Sequence, residues 1–145
     1  MYATGSRINI MEKIVWKSEF SVGVSEMNKQ HQKLVEMING LIDEQNVLTA
    51  PETIAQLLTE MTDYADEHFR AEEYLMSEYG YDKIENQKKQ HGAFMENTMA
   101  FCSKSDIGSN ILSVALLEYL SKWLIDHILQ EDMQYKEFFK SKGVA

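Results

Sequence analysis

The chain has four histidines, His31, His68, His91 and His127, and each falls on the apolar stripe of a different stretch with helical periodicity. Apolar residues at steps of three and four mark one face of an α-helix. In the first stretch, residues 25–43, His31 lines up with Met27, Leu34, Val35, Ile38, Leu41 and Ile42, away from Lys29, Lys33 and Glu36. The second runs from Thr49-Ala50-Pro51-Glu52, a capping threonine with proline in the first turn, to Tyr79, with Gly80 as its stop. Its stripe is Ile54, Leu57, Leu58, Met61, Ala65, His68, Glu72, Leu75, Met76 and Tyr79. The third opens at the capping box Asp82-Lys83-Ile84-Glu85 and carries Ile84, Gln87, His91, Phe94, Met95, Thr98 and Cys102. Residues 103–109, with Asp106 and Gly108, read as a loop. The fourth stretch, residues 110–139, carries Val114, Leu117, Leu120, Trp123, Leu124, His127, Ile128, Glu131, Tyr135 and Phe138. Four long amphipathic helices with short connections predict an all-α, antiparallel up-down-up-down four-helix bundle.

One proline and seven glycines in 145 residues leave little to interrupt such helices, and 44% apolar residues suit one domain with a real core. Residues 1–22 lack a sustained period and are expected to form an N-terminal arm packed through Trp16 and Phe20, with the bundle over 23–145 and residues 1–10 a loose extension. A net charge of −9 argues against nucleic acid or an anionic membrane as the main partner. The lone Cys102 excludes an intrachain disulfide and a cysteine-based zinc site. No long apolar run marks a membrane span or a signal peptide, so the expected location is cytoplasmic.

His68 and Glu72 stand four residues apart and leave one helical face together, among Leu58, Met61, Ala65, Leu75 and Met76. A carboxylate in such a core needs a cation or donors beside it. One core histidine is ordinary; four converging from four helices point to a metal site. Imidazoles with carboxylates suit iron, zinc, copper or manganese better than calcium or magnesium. Near His127, α-helical phase favours Glu131 over Asp132, because five residues carry a side chain about 140° off the face.

These residues resemble the hemerythrins, and in particular the bacterial single-domain hemerythrins. The resemblance runs through Trp16, Gly23-Val24, Gln30-His31, HFRAEE from His68, Tyr79-Gly80-Tyr81, KKQHGAF around His91, and KWLIDHILQED from Lys122 to Asp132. It implies a bundle around two non-haem irons. One iron would take His31 and His68; the other would take His91 and His127; Glu72 and Asp132 would bridge them. The resemblance therefore favours Asp132 where helical phase favours Glu131. It also implies an apolar dioxygen pocket from Trp123, Leu124 and Ile128, which could equally be plain core residues.

The chain departs from the family pattern at Gln87, where a histidine four residues before His91 would stand, and it has no fifth histidine. Gln87 either binds metal, directly or through water, or only hydrogen-bonds in the core. Loss of a ligand implies a weakly held second iron. The leading reading is a protein that binds dioxygen for storage, delivery or sensing, with no nucleophile to suggest an enzyme and no protein partner indicated. The alternatives are a di-iron oxidase or peroxidase, whose case Gln87 strengthens, and a degenerate metal-binding module.

Overall fold

The computed structural model describes residues 11–46, 51–104 and 110–145, with backbone only at 46, 51, 102–104 and 110–113. The expected loose extension at 1–10, the cap at Thr49, the placement of the Cys102 side chain and the connection at 105–109 lie outside the described residues. A short 3-10 turn, Ser18–Phe20, precedes α1 (Ser25–Asn46), α2 (Pro51–Tyr79), α3 (Ile84–Lys104) and α4 (Asn110–His127). A π-helical turn, Ile128–Asp132, then leads into α5 (Met133–Ser141). His127 and Met133 both keep right-handed helical backbone angles, so α4, the π turn and α5 form one uninterrupted rod. Residues 103 and 104, expected in a loop, extend α3 instead.

The rods pack in a ring, α1 against α2, α2 against α3, α3 against α4 and α4 against α1, giving an antiparallel four-helix bundle. The α1 stripe is buried throughout: Met27, His31, Leu34, Val35, Ile38, Leu41 and Ile42. On α2, Met61, Ala65, His68, Glu72 and Met76 are buried, while Tyr79 is 41% exposed and departs from its expected inward place. The helix ends there because Gly80 takes φ +72°, which lets Tyr81 N–H reach the Met76 carbonyl at 2.9 Å. Tyr81 folds back into the core and packs against Tyr135 and Phe138.

Before α1, Ile14 exchanges two backbone-to-amide bonds with Asn39 at 2.8 and 2.9 Å. Trp16 stands edge-on to the buried Phe20. Gly23 adopts φ +77°, and an added Cβ would meet Lys136 Cγ at 3.2 Å, so this turn requires glycine both for its angle and for space.

The π turn changes the face of the last rod. Upstream, Leu117, Leu120, Leu124, His127 and Ile128 are buried; downstream the buried positions are Asp132, Tyr135 and Phe139. The positions that α-helical phase favoured, Glu131 and Phe138, are each displaced by one residue, to Asp132, the acid that the family resemblance implied, and to Phe139. One extra residue in the turn rotates the downstream residues by about 100° relative to an unbroken α-helix.

Candidate metal centre

Four imidazoles and two carboxylates converge at one buried point. His31 comes from α1, His68 and Glu72 from α2, His91 from α3, His127 from the end of α4, and Asp132 closes the π turn. All six are at most 4% exposed. His31 Nε2 lies 3.2 Å from Glu72 Oε2 and 3.2 Å from Asp132 Oδ2. Glu72 Oε1 lies 3.3 Å from the Nε2 of both His68 and His91, and Asp132 Oδ1 lies 3.1 Å from His127 Nε2. Glu72 thus reaches histidines of three helices, α1, α2 and α3, and Asp132 joins those of the neighbouring α4 and α1. Asp132 can do so because the π turn brings its fifth-residue spacing from His127 back onto one face. Glu131 instead accepts a bond from Asn86 at 2.8 Å near the surface.

An outer layer orients the rings. His68 Nδ1 donates to Gln30 Oε1 at 2.7 Å, His91 Nδ1 to Glu73 Oε2 at 2.7 Å, and His127 Nδ1 to Gln90 Oε1 at 2.9 Å. These oxygens only accept, so Nδ1 carries the proton and Nε2 is the nitrogen left for a cation. The partners follow the bundle around: α1 holds the α2 histidine, α2 the α3 histidine, and α3 the α4 histidine. Gln30, Gln90 and Glu73 each adjoin a central residue in sequence yet serve the next helix. Sequence reasoning assigned none of them; the Gln-His doublets at 30–31 and 90–91 were the available signal. It also passed over Phe69, whose ring stacks on His91 at 4.1 Å. Tyr135 was placed on the inner stripe without a role; its hydroxyl donates to Glu72 Oε2 at 2.6 Å.

The remaining site residues expected from sequence also gather here. Gln87, 1% exposed, donates from Nε2 to Asp132 Oδ1 at 3.0 Å. Trp123 stacks on the His127 ring at 4.5 Å, and Leu124 and Ile128 are buried beside it in sequence.

Among the described residues, eight buried side-chain polar atoms lack a hydrogen-bond partner, and six of them are here: His31 Nδ1, Glu72 Oε1, Gln87 Oε1, His91 Nε2, His127 Nε2 and Asp132 Oδ2. Buried polar atoms are rarely left unpaired, so the concentration of these at one point, all but the outward-facing His31 Nδ1, fits a bound ion. Two groups of three donors fit it directly: His31, His68 and Glu72, and Glu72, His91 and His127, the donor atoms of each group lying within 4.8 Å of one another. Glu72 is common to both. Imidazole nitrogen with carboxylate oxygen is the donor set of first-row transition metals.

The site's electrostatics favour cations. Burial lowers the His31 pKa, but hydrogen bonds and charge from Asp132 and Glu72 overcome it and raise it to about 9. His127 is also raised: burial opposes, and the charge and hydrogen bond of Asp132 prevail. Burial pushes Glu72 up, yet the charge of His68 and hydrogen bonds from the histidines hold it well below the usual carboxylate range. Asp132 is lowered too, with burial and Glu72 opposing and His127 and His31 prevailing. Burial, then the charges of Glu72 and Asp132, push the Tyr135 phenol well above its usual value, so it stays a donor. A cluster that holds protons this firmly holds them where a metal cation would sit.

Residues 22–139 match the family described as the hemerythrin HHE cation-binding domain. The chain belongs to the hemerythrin family. A bacteriohemerythrin of Pseudomonas aeruginosa is 33% identical over 129 residues, covering 86% of this chain and 80% of that protein. A bacteriohemerythrin of Stenotrophomonas maltophilia is 30% identical, covering 90% of this chain and 84% of that one. A hemerythrin-like protein of Naegleria gruberi is 31% identical, covering 83% and 89%. A crystal structure of a hemerythrin superposes with a TM-score of 0.77 at 22% identity, over 88% of this chain and 97% of that one. The converging histidines and carboxylates therefore belong to a cation-binding domain. Among the described residues, no helix of this hemerythrin is long and apolar enough to cross a membrane.

Proposed function

We propose that this chain is a cytoplasmic non-haem di-iron protein that binds dioxygen for storage, delivery or sensing. The observation that carries the reading is the pair of buried three-donor groups sharing Glu72. His31 and His68 would hold one ion, His91 and His127 the other, with Glu72 and Asp132 reaching both. Residues 23–145 form the metal-holding bundle in this reading, and 1–22 its arm.

A pair of ferrous ions, when bound, would lend two electrons to dioxygen on uptake and recover them on release. The residues of the chain do the rest. Gln30, Glu73 and Gln90 fix three rings so that each Nε2 faces the centre. Tyr135 donates to Glu72 and restrains its carboxylate. Trp123, Leu124 and Ile128 give the dioxygen pocket an apolar wall, which excludes water and protons and so favours release over reaction.

Anaerobic iron titration followed by exposure to air tests the reading. Two irons per chain and an absorption band that reverses under vacuum are expected. Failure to take up two irons, or immediate decay of the band with turnover of peroxide, would overturn it. The decay outcome would favour the second reading, a di-iron oxidase or peroxidase. That reading is supported by Gln87, which offers no imidazole on the His91 and His127 side.

A further inference from the structure

The three held imidazoles differ in what holds them. At Nδ1, Gln30 and Gln90 present neutral amide oxygens to His68 and His127, whereas His91 alone among these three meets a carboxylate there, Glu73. Glu73 is 8% exposed and gripped from both ends. Its Oε2 accepts from His91 Nδ1 at 2.7 Å, and its Oε1 accepts from Arg70 Nη1 at 2.9 Å. Arg70 is anchored in turn by Asp66 at 3.1 Å. Phe69, stacked on His91, restrains the same ring but brings no charge. The carboxylate also lies on the side of the centre that contains Gln87, whose amide nitrogen donates to Asp132 and whose oxygen offers no imidazole-like donor.

We propose that Glu73 is a positioning residue that offsets the absence of an imidazole at Gln87, by making His91 the strongest nitrogen donor of the second metal group. The proposal rests on the two-ion reading above. A carboxylate accepting from Nδ1–H draws that proton outward and raises electron density at Nε2, where a neutral amide does so less. The Arg70 contact supplies counter-charge and keeps the carboxylate from turning away. The group with the poorer donor inventory is thereby given the better-prepared ring. Partners of this kind commonly change metal affinity by about ten- to a hundredfold.

Zinc, which is redox-inert, separates this effect from oxygen chemistry. Calorimetric titration of the metal-free full chain with zinc would compare wild type, Glu73→Gln, Gln87→His and the double variant. Glu73→Gln keeps the accepting oxygen and removes only the charge. It should weaken the weaker-binding zinc by roughly tenfold or more and leave the tighter one unchanged. In the Gln87→His background the same change should cost markedly less, because a third imidazole makes the preparation of His91 less important. Equal losses in the two backgrounds, equal weakening of both ions, or no weakening would each overturn the proposal. Wild type failing to bind two zincs would overturn the two-ion reading and the proposal with it. Should Glu73→Gln not fold, Gln90→Glu supplies the reciprocal test without removing a contact. A carboxylate on His127 should tighten the weaker ion, and an unchanged affinity there would overturn the proposal.

Discussion

Asp132 and Glu131 are adjacent acids with opposite surroundings. Asp132 is fully buried between His31 and His127, and Glu131 reaches outward to Asn86. Asp132→Ala is therefore expected to abolish binding of at least one of two metal ions, whereas Glu131→Ala should retain both. Elemental analysis of the two purified variants decides it, and equal stoichiometry in both would count against the proposed ligand set. At this scale much of the centre was legible. His31, His68, Glu72, His91 and His127 are polar residues on apolar stripes, and a stripe is visible in spacing alone. The residues that orient them were not legible. Gln30, Glu73 and Gln90 lie just off the stripe, where polar residues are usually solvated. Their partners stand on a neighbouring helix whose rotation the spacing does not give. Gln87 shows both sides of this: its inward place followed from period, but its bond to Asp132 depends on the next rod being wound differently.

That winding is the main feature of the last rod. The π turn holds one more residue than an α-helical turn needs, and the buried face moves from Glu131 and Phe138, which α-helical phase favoured, to Asp132 and Phe139. No proline or glycine in ILQED announces it, so periodicity alone reads straight through. Such turns are uncommon and gather at functional sites, where an otherwise unfavourable winding is offset by what it positions. Here two bonds from the start of α3, Asn86 to Glu131 and Gln87 to Asp132, and one from the preceding turn, Lys83 to Gln134, grip this region. If the turn is in effect a one-residue insertion, deleting the exposed Gln130 restores α-helical spacing while keeping His127, Asp132, Tyr135 and Phe139 on one face. The deletion variant is expected to fold and to keep its metal stoichiometry. Inserting an alanine after Gln130 should rotate Asp132 and the rest of α5 by about another 100° and lose metal. Circular dichroism with metal analysis checks both; loss of metal in the deletion and retention in the insertion would refute this account of the turn.

For the whole molecule, the bundle followed from four stripes and few breakers, because helix packing needs little beyond a continuous apolar face. What the stripes did not reveal is how the charged centre affects stability. In the metal-free protein His31 has its pKa raised to about 9 from an ordinary 6.5, and His127 is shifted in the same direction. A raised folded-state pKa contributes stability that is fully present below the unfolded value of about 6.5 and is lost as pH rises through the folded value. Glu72 and Asp132 have the opposite sign: their lowered pKa values contribute stability above the ordinary carboxylate range, lost as pH falls through the folded values. Metal-free protein should thus be most stable between about pH 5 and 6.5, and should weaken by on the order of a few kcal/mol toward about pH 9.5. A bound metal replaces the protons on the imidazoles, so the loaded protein should lose this alkaline decline. Thermal midpoints across that range, with and without metal, test the claim. A metal-free midpoint that stays flat or rises between about pH 6.5 and 9.5 would show that the histidines do not hold protons between the two carboxylates. The metal centre would then have to assemble its charges only when the cation arrives.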